Sequence, residues 1–179
     1  MSTIDLVILG LIFKKPQSPY DLQKKIEEMN LSRWIKIGSY TVYKKVIQFE
    51  SKNLVSSESV KHGNMPEKTI YMLTSQGKEH FNKLMERFSL EQTRVFLDFN
   101  AVIVNLGLLD DNAAEECIKN IRSSIISTKA QIEAQMPYHE GISLFGRTIL
   151  EQQYMLLETL EKWEQNFEEE LLKKVGRQK

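Results

Sequence analysis

The sequence has little of several features that would indicate particular chemistries. It contains one cysteine, Cys117, in 179 residues, which excludes an intramolecular disulfide and leaves this side chain to pack as a small apolar group. Its three histidines are scattered, and neither a spacing typical of zinc ligands nor a glycine-rich phosphate-binding loop is present. The sequence therefore predicts no metal site, no cofactor and no enzymatic activity.

Long hydrophobic runs are also missing. No apolar stretch approaches the roughly 20 residues that a membrane-spanning helix needs. The apolar segment near the start, IDLVILGLIF, is short and carries Asp5 where a signal peptide would have a lysine or arginine. A buried core helix is the better interpretation of this segment, and we expect a cytoplasmic protein.

The chain has no net charge, with 24 basic and 24 acidic residues, but this balance hides a division. Residues 1–88 contain 14 Lys and Arg and 9 Asp and Glu, a net charge of +5. Residues 89–179 contain 10 and 15, a net charge of −5. Chance variation in solvated side chains is one explanation. The other is a basic working module joined to an acidic one.

The order of predicted elements in the first half indicates a winged helix-turn-helix. A first helix runs to about Lys14 and is apolar on nearly every side, so it should be buried. Ser18, followed by Pro19, is a good start signal for a second helix, and a third can begin near Gly38. Two extended segments then flank a turn rich in glycine, asparagine and proline, which predicts a hairpin, and Thr74 can cap a fourth helix.

The second half is predicted to be entirely helical. One helix runs from about Leu90 to Leu108, a second from Asn112 to about Gln135, and a third from about Ser143 to Val175. The last has an apolar seam at alternating spacings of four and three, which is typical of helix packing. An exposed seam of this length normally marks an interface, so we expect two copies to pair through Ile149, Leu156, Leu160, Trp163 and Phe167.

The third helix combines a broad apolar side with a narrow polar stripe. At about 100° per residue, the stripe contains Thr41, Lys44, Lys45, Gln48 and Lys52. Tyr43 and Ile47 fall on the side predicted to face the core. The stripe holds three cations and no carboxylate, which suits a helix in a DNA major groove, where lysine reaches phosphates or guanine and glutamine pairs with adenine. A polar face that contacts only water is the plainer alternative, and on either reading truncation of Lys44 and Lys45 should leave the fold intact.

The N-terminal half resembles the PadR-like family of transcriptional regulators. The resemblance is carried by LVILGLI, by SPYDL, by a tryptophan before GSYTVYKKVIQFESKNLV, and by a hairpin ending in TIYMLTSQGKEHF. Pro19 stands where the family usually has glycine before the tyrosine. Asn53 replaces the usual glycine after the recognition helix and tolerates a left-handed conformation.

This resemblance implies a mainly α fold, with a DNA-binding winged helix-turn-helix over residues 1–88 and a helical dimerisation and possible effector domain over 89–179. It implies a homodimeric, ligand-responsive repressor that binds double-stranded operator DNA and a small aromatic or amphipathic effector. Trp34 and Trp163 are the candidate effector-binding residues, although core packing is the commoner role of tryptophan. The alternative is a helical interaction module whose winged helix binds protein. The expected DNA-binding residues are Ser39, Tyr40, Thr41, Tyr43, Lys44, Lys45 and Gln48 on and before the recognition helix, with Lys61, His62 and Lys68 on the wing.

Overall fold

The computed structural model describes residues 2–29, 41–61, 67–136 and 143–176 of a mainly helical chain. Its elements are α1 (Thr3–Lys14), α2 (Pro19–Glu28), α3 (Thr41–Ser51), β1 (Val55–Val60), β2 (Lys68–Leu73), α4 (Ser75–Leu90), α5 (Asn100–Ile103), a 3-10 turn (Leu106–Leu108), α6 (Asp111–Glu133) and α7 (Leu144–Gly176). They form two compact units, Met1–Arg94 and Val95–Lys179. None of the described helices combines the length and apolar character needed to cross a membrane.

The first two helices begin where the sequence predicts. At the start of α1, the Ser2 backbone N–H donates to Asp5 Oδ2 over 2.7 Å. At the start of α2, Ser18 Oγ accepts from the Asp21 N–H over 3.2 Å, and Pro19 occupies the first helical position, where a missing N–H costs nothing. Polar side chains therefore satisfy backbone donors that the helices themselves cannot pair.

The predicted hairpin is present as the antiparallel pair β1 and β2. Val55 lies opposite Leu73 at its base and Val60 opposite Lys68 nearer its tip. Tyr71 also bonds to the chain before α2, since its N–H donates to Gln17 O over 2.9 Å and its carbonyl accepts from Gln17 N over 3.2 Å. The order of three helices, a hairpin and a fourth helix is that of a winged helix-turn-helix, as expected. Residues 62–66, which include the predicted wing residue His62, lie outside the described residues.

The core of the first unit is built from apolar side chains of every element in it. α1 packs against α4, β2 and the other two N-terminal helices, and α2 packs against α3. Phe81 and Phe88 on α4 cover this core from one side, while Leu6, Val7 and Leu11 of α1 are only partly buried. The buried members are Ile4, Ile8, Leu9, Ile12, Leu22, Ile26, Val42, Val46, Phe49, Leu54, Val55, Tyr71 and Leu84.

A tight junction connects the end of α3 to the start of α4. Asn53 has a left-handed backbone with φ of 55°, as its position predicts. The Leu54 carbonyl accepts from the Thr74 N–H over 3.1 Å, and Thr74 Oγ1 accepts from the Gly77 N–H over 2.9 Å. A Cβ atom at Gly77 would lie 1.9 Å from the Leu54 carbonyl oxygen. Glycine is therefore required here by close approach of two backbones.

The core of the second unit is an antiparallel pair of long helices, α6 and α7. Polar contacts fix their direction, because Arg122 pairs with Glu164, Lys129 with Glu161, and Glu133 with Tyr154. Asp110 caps α6 by accepting from the Ala113 N–H over 2.9 Å. Both helices were predicted, to within a residue or two. The face of α6 that is buried carries Ala114, Ile118, Ile121, Ile125 and Ile132.

The predicted helix from Leu90 to Leu108 is wrong. α4 ends at Leu90, Glu91 has extended backbone, and residues 92–97 form neither helix nor strand. The β-branched Thr93 and Val95 in this stretch favour extended backbone. After a short α5, Leu106 is buried against α6. Leu90, Phe96, Val104 and Leu108 are 78%, 80%, 79% and 83% exposed, so the apolar spacing of this segment does not mark a buried helix face.

Glu164 is a buried acid on the interior side of α7. Its side chain is 1% exposed, and Arg122 Nε lies 3.1 Å from Glu164 Oε2. Neither carboxylate oxygen has a well-aligned hydrogen bond from the described residues. Burial raises the pKa of Glu164, which Arg122 opposes and the neighbouring Glu168 reinforces. The folded protein consequently holds this proton more tightly than the unfolded chain does.

We expect Gly77→Ala to destabilise the first unit strongly, because the new methyl group collides with a carbonyl that Thr74 holds in place. The loss should be at least the roughly 1 to 3 kcal/mol typical of overpacking, measured by urea denaturation. Gly107→Ala is the matched control, since a Cβ there meets no atom within 4 Å. Equal stabilities for the two variants would contradict the described junction.

We expect Glu164 to make the free energy of unfolding fall as pH rises above its ordinary pKa of 4.5. The native state binds the extra proton, so raising the pH through this range favours the unfolded chain. The free energy of unfolding of the wild type minus that of Glu164→Gln should therefore decrease as pH rises, as measured by urea titrations. Glu169→Gln, at a side chain that is 71% exposed on the same helix, should leave the profile unchanged. Parallel profiles for wild type and Glu164→Gln would contradict the raised pKa.

Candidate nucleic-acid interface

Helix α3 is anchored by one apolar face. Val42, Val46 and Phe49 are 1%, 0% and 0% exposed, and their spacings of four and three place them on one side of the helix. This side packs against α2, β1 and α1. Burial of these three side chains turns the opposite side of α3 to the surface of the unit.

The exposed face of α3 is broader and less polar than the sequence indicates. Lys44 and Gln48 lie on it, as predicted. The prediction that Tyr43 and Ile47 face the core is wrong, because they are 64% and 50% exposed. Only one side of α3 has neighbours to pack against, so apolar residues beyond that contact remain at the surface, as many do in folded proteins. The outer face is thus an apolar and aromatic patch beside Lys44 and Gln48.

Lys45 differs from Lys44 in its surroundings. Its Nζ lies 2.8 Å from Asp5 Oδ1, and the two side chains are 25% and 1% exposed. The other oxygen of Asp5 accepts from the Ser2 backbone N–H. Lys45 therefore neutralises a buried acid of α1 and ties the start of α1 to α3. The expectation that both lysines can be truncated without cost to the fold does not include this contact of Lys45.

Several predicted residues lie outside the described residues. These are Ser39 and Tyr40 before α3 and Trp34 further upstream. Thr41 begins α3, but its side chain is not described.

The described part of the wing carries two of the predicted cations. Lys61 is exposed just after β1. Lys68, at the start of β2, has its Nζ 2.6 Å from Asp21 Oδ2. That hydrogen bond lowers the pKa of Asp21, opposed by desolvation and aided by Ser18. Lys68 thus joins the outer part of the hairpin, opposite Val60, to the first turn of α2, while Lys44 and Lys61 have no acidic partner among the described residues.

The predicted seam residues of α7 divide between interior and surface. Leu156 is 45% exposed, whereas Ile149, Leu160, Trp163 and Phe167 are half-buried. Phe167 packs against the cluster of Leu106, Ala114 and Ile118. Trp163 stacks between Phe99 and Phe167, with ring centroids 5.5 and 5.7 Å apart.

Sequence reasoning missed a further exposed apolar strip on α7. Leu144, Phe145 and Met155 are 60%, 78% and 64% exposed. Leu144 and Met155, and likewise Phe145 and Leu156, are 11 residues apart, which is about three helical turns. The 11-residue spacing is the sequence signal for this strip, and it is less apparent than the seven-residue spacing of the predicted seam.

The second unit also contains an apolar cavity of about 440 Å³. Its walls come from residues 97–102, from α6 and from α7. Cys117 lines it, and so does Phe99, the outer ring of the aromatic stack. No group of three or more acidic, histidine or cysteine side chains within the described ranges is arranged to hold a metal ion.

Residues 8–83 match the family model described as the transcriptional regulator PadR-like family. A search of curated proteins gives no sequence match. The regulatory character of the matched family agrees with the expectation that this chain is not an enzyme.

Solved structures share the fold over nearly the whole chain. PadR of Bacillus subtilis in complex with operator DNA has a TM-score of 0.75 and 18% identity, with coverage of 93% of this chain and 97% of that chain. The PadR-like regulator BC1756 of Bacillus cereus has a TM-score of 0.72 and 21% identity, with coverage of 95% and 98%. Bacillus subtilis PadR in complex with p-coumaric acid has a TM-score of 0.75 and 14% identity, covering 92% of both chains.

These matches confirm the resemblance drawn from the sequence: residues 8–83 match the PadR-like family model, and the fold of PadR-like regulators of known structure extends over nearly the whole chain.

Proposed function

We propose that this regulator is a homodimeric, ligand-responsive repressor that binds double-stranded operator DNA in the cytoplasm. Residues 1–88 bind the DNA, and residues 89–179 pair two copies and receive an effector. The observation that carries the proposal is the outer face of α3, where Lys44 and Gln48 stand beside exposed Tyr43 and Ile47 on a helix anchored from behind. Exposed apolar side chains are common on protein surfaces, so the proposal depends on their position beside a cation and an amide on one outer face.

Each exposed side chain of α3 suits the major groove of DNA. Lys44 reaches a phosphate or the acceptor atoms of guanine, and Gln48 pairs with adenine. Tyr43 and Ile47 offer apolar contact to thymine methyl groups. Ser39, Tyr40 and Thr41 are further proposed contacts to the DNA. Lys45 has a supporting role through Asp5, which keeps α3 at a constant position relative to α1.

The wing adds contacts to the DNA backbone. Lys61, which is exposed just after β1, and His62 are the proposed phosphate contacts of the wing. Lys68 adds positive charge at the end of the hairpin nearer its tip, and its ion pair with Asp21 holds the wing against α2. Because phosphate contacts carry no sequence information, the wing contributes affinity and α3 contributes specificity.

The helical unit pairs two copies through apolar side chains of α7. Leu156 belongs both to the predicted seam and to the exposed strip of Leu144, Phe145 and Met155. An apolar strip of this length normally marks an interface in a soluble protein. The strip is supported from within the unit, or extended at its edge, by the other predicted seam residues Ile149, Leu160, Trp163 and Phe167. Two-fold pairing would present two α3 helices to the two halves of a palindromic operator.

A small molecule supplies the regulatory input. A structural neighbour was solved with p-coumaric acid, which supports an aromatic effector for this chain. Trp34 and Trp163 are the candidate contacts, and Trp163 already stacks with Phe99 and Phe167. The effector must bind the DNA-incompetent arrangement more tightly than the DNA-bound one, because equal affinity would shift nothing.

We expect Lys44→Ala and Lys45→Ala to have different effects. Lys44→Ala should weaken binding to the DNA upstream of the protein's own gene, without loss of stability. It should also lower the slope of log affinity against log salt concentration by about one unit per protomer. Lys45→Ala leaves Asp5 buried without its partner, so it should cost about 1 to 3 kcal/mol of stability and leave the salt slope unchanged. Titrations at several salt concentrations and urea denaturation measure the two effects.

The double variant Asp5→Asn, Lys45→Met is the control for the second effect, because it removes both charges together and should recover most of the lost stability. A reduced salt slope in Lys45→Ala would mean that Lys45 leaves Asp5 for a phosphate. Unchanged DNA affinity in Lys44→Ala would remove α3 from the interface. In that case the winged helix would be a protein-binding surface.

We expect Leu156→Glu to convert the dimer to a monomer at micromolar concentration and to weaken operator binding at least tenfold, which corresponds to about 1.4 kcal/mol. A charge placed in an apolar interface loses its hydration without a partner. Sedimentation velocity measures the assembly. Lys162→Glu, at an exposed position of the same helix, should remain dimeric. A wild-type protein that sediments as a monomer would contradict the dimer.

A further inference from the structure

The cavity of the second unit has the size and composition of a ligand site. Its volume of about 440 Å³ lies within the roughly 300 to 1,000 Å³ typical of small-molecule pockets. Apolar side chains of the 97–102 segment, α6 and α7 form its walls, among them Phe99, Ile125 and Leu160. A concave apolar surface of this size suits a compact apolar molecule better than it suits the flat surface of another protein.

One edge of the cavity is polar but uncharged. Asn120, Ser124 and Thr128 line it at intervals of four residues, so they form a row along α6. The Thr128 hydroxyl already donates to the Ser124 carbonyl over 2.8 Å, which leaves its lone pairs as acceptors. The row therefore offers hydroxyl and amide groups to a single polar end of a ligand.

Two cations of α6, Arg122 and Lys129, lie on the other flank of its buried face. Arg122 Nη1 lies 2.8 Å from Glu168 Oε2, and its Nε faces Glu164. Lys129 Nζ lies 2.8 Å from Glu161 Oε2. These cations are engaged by acids of α7, and no charged side chain is among the described residues that line the cavity. A carboxylate bound there would lose its hydration without a compensating partner.

We propose that this cavity is the effector site and that it selects neutral molecules with a flat apolar body and one hydroxyl or amide end over anions of the same shape. The inference rests on the proposed function for its regulatory meaning, but not for the binding itself. Leu97, Phe99 and Val102 form one wall and directly follow residues 91–96, which join the two units in sequence. A ligand that binds against this wall thereby contacts residues directly adjacent in sequence to the segment through which the helical unit is connected to the DNA-binding unit.

Cys117 makes the test specific. It is the only cysteine of the chain, it is half-buried, and it lines the cavity. We therefore expect 1-naphthol to slow labelling of full-length protein by N-ethylmaleimide, followed by mass spectrometry. 1-Naphthoate, which has the same rings but carries a charge, should need at least a tenfold higher concentration for the same protection.

Two variants locate the site. Ser124→Leu fills the cavity and should weaken protection by 1-naphthol at least tenfold. Ser127→Leu makes the same change at an exposed position of α6 outside the cavity and should leave protection unchanged. Equal protection by 1-naphthoate, or an unaffected Ser124→Leu variant, would overturn the proposal.

A second copy of the chain is the competing occupant. If Cys117 is unreactive without any ligand and becomes reactive in Leu156→Glu, the partner fills the cavity and the proposal is overturned. An electrophoretic mobility-shift assay on the DNA upstream of the protein's own gene separates this inference from the proposed function. Protection without DNA binding would count against the regulator and leave the pocket standing, whereas DNA binding without protection would remove only the pocket.

Discussion

Burial of Val42, Val46 and Phe49 is the interaction on which the functional surface depends. Each fully buried side chain of this kind contributes about 1.5 to 3 kcal/mol from the removal of apolar area from water. Because the three share one side of α3, their burial also sets the rotation of the helix about its own axis. Lys44 and Gln48 are exposed as a direct consequence, and a rotation that exposed Phe49 instead would bury both.

Three further contacts limit how α3 can move within its unit. The left-handed Asn53 ends the helix, the close approach at Gly77 sets where α4 begins, and the ion pair of Lys45 with Asp5 connects α3 to α1. The last of these removes one cation from the outer surface. Lys45, which the sequence predicts to bind DNA, thus also has a supporting role within the fold. Lys68, paired with Asp21, has the same double character on the wing.

In the helical unit, the ion pairs between α6 and α7 and the uncharged polar side chains of α6 lie on opposite flanks of α6. Charged pairs between α6 and α7 fix the antiparallel direction of the two helices, and the buried Glu164 makes one of these pairs sensitive to pH. The uncharged row of Asn120, Ser124 and Thr128 lies on the other flank, beside the cavity. A single helix therefore carries both the ion pairs that fix the register of the unit and an uncharged polar row beside the cavity.

The elements that the sequence predicted best are those with local signals. The start of α2 at Ser18 and Pro19, the left-handed Asn53 and the cap at Thr74 each depend on a few adjacent residues, so the chemistry of those residues is sufficient. The segment 90–108 was mispredicted because only a few of its apolar residues, among them Leu106 and Phe99, find partners, and those partners on α6 and α7 lie far along the chain. No local spacing contains that information.

By itself, the sequence determined the order of elements, the division into a basic and an acidic half, and the placement of Lys44 and Gln48 on the polar side of the third helix. Tertiary structure decided which apolar side chains of that helix find a neighbour, and so exposed Tyr43 and Ile47. It also paired Lys45 with Asp5 and assembled the cavity around Cys117. The physical reason is the same in each case: burial and ion pairing depend on residues far apart in the chain, whereas helix periodicity and capping depend only on those nearby.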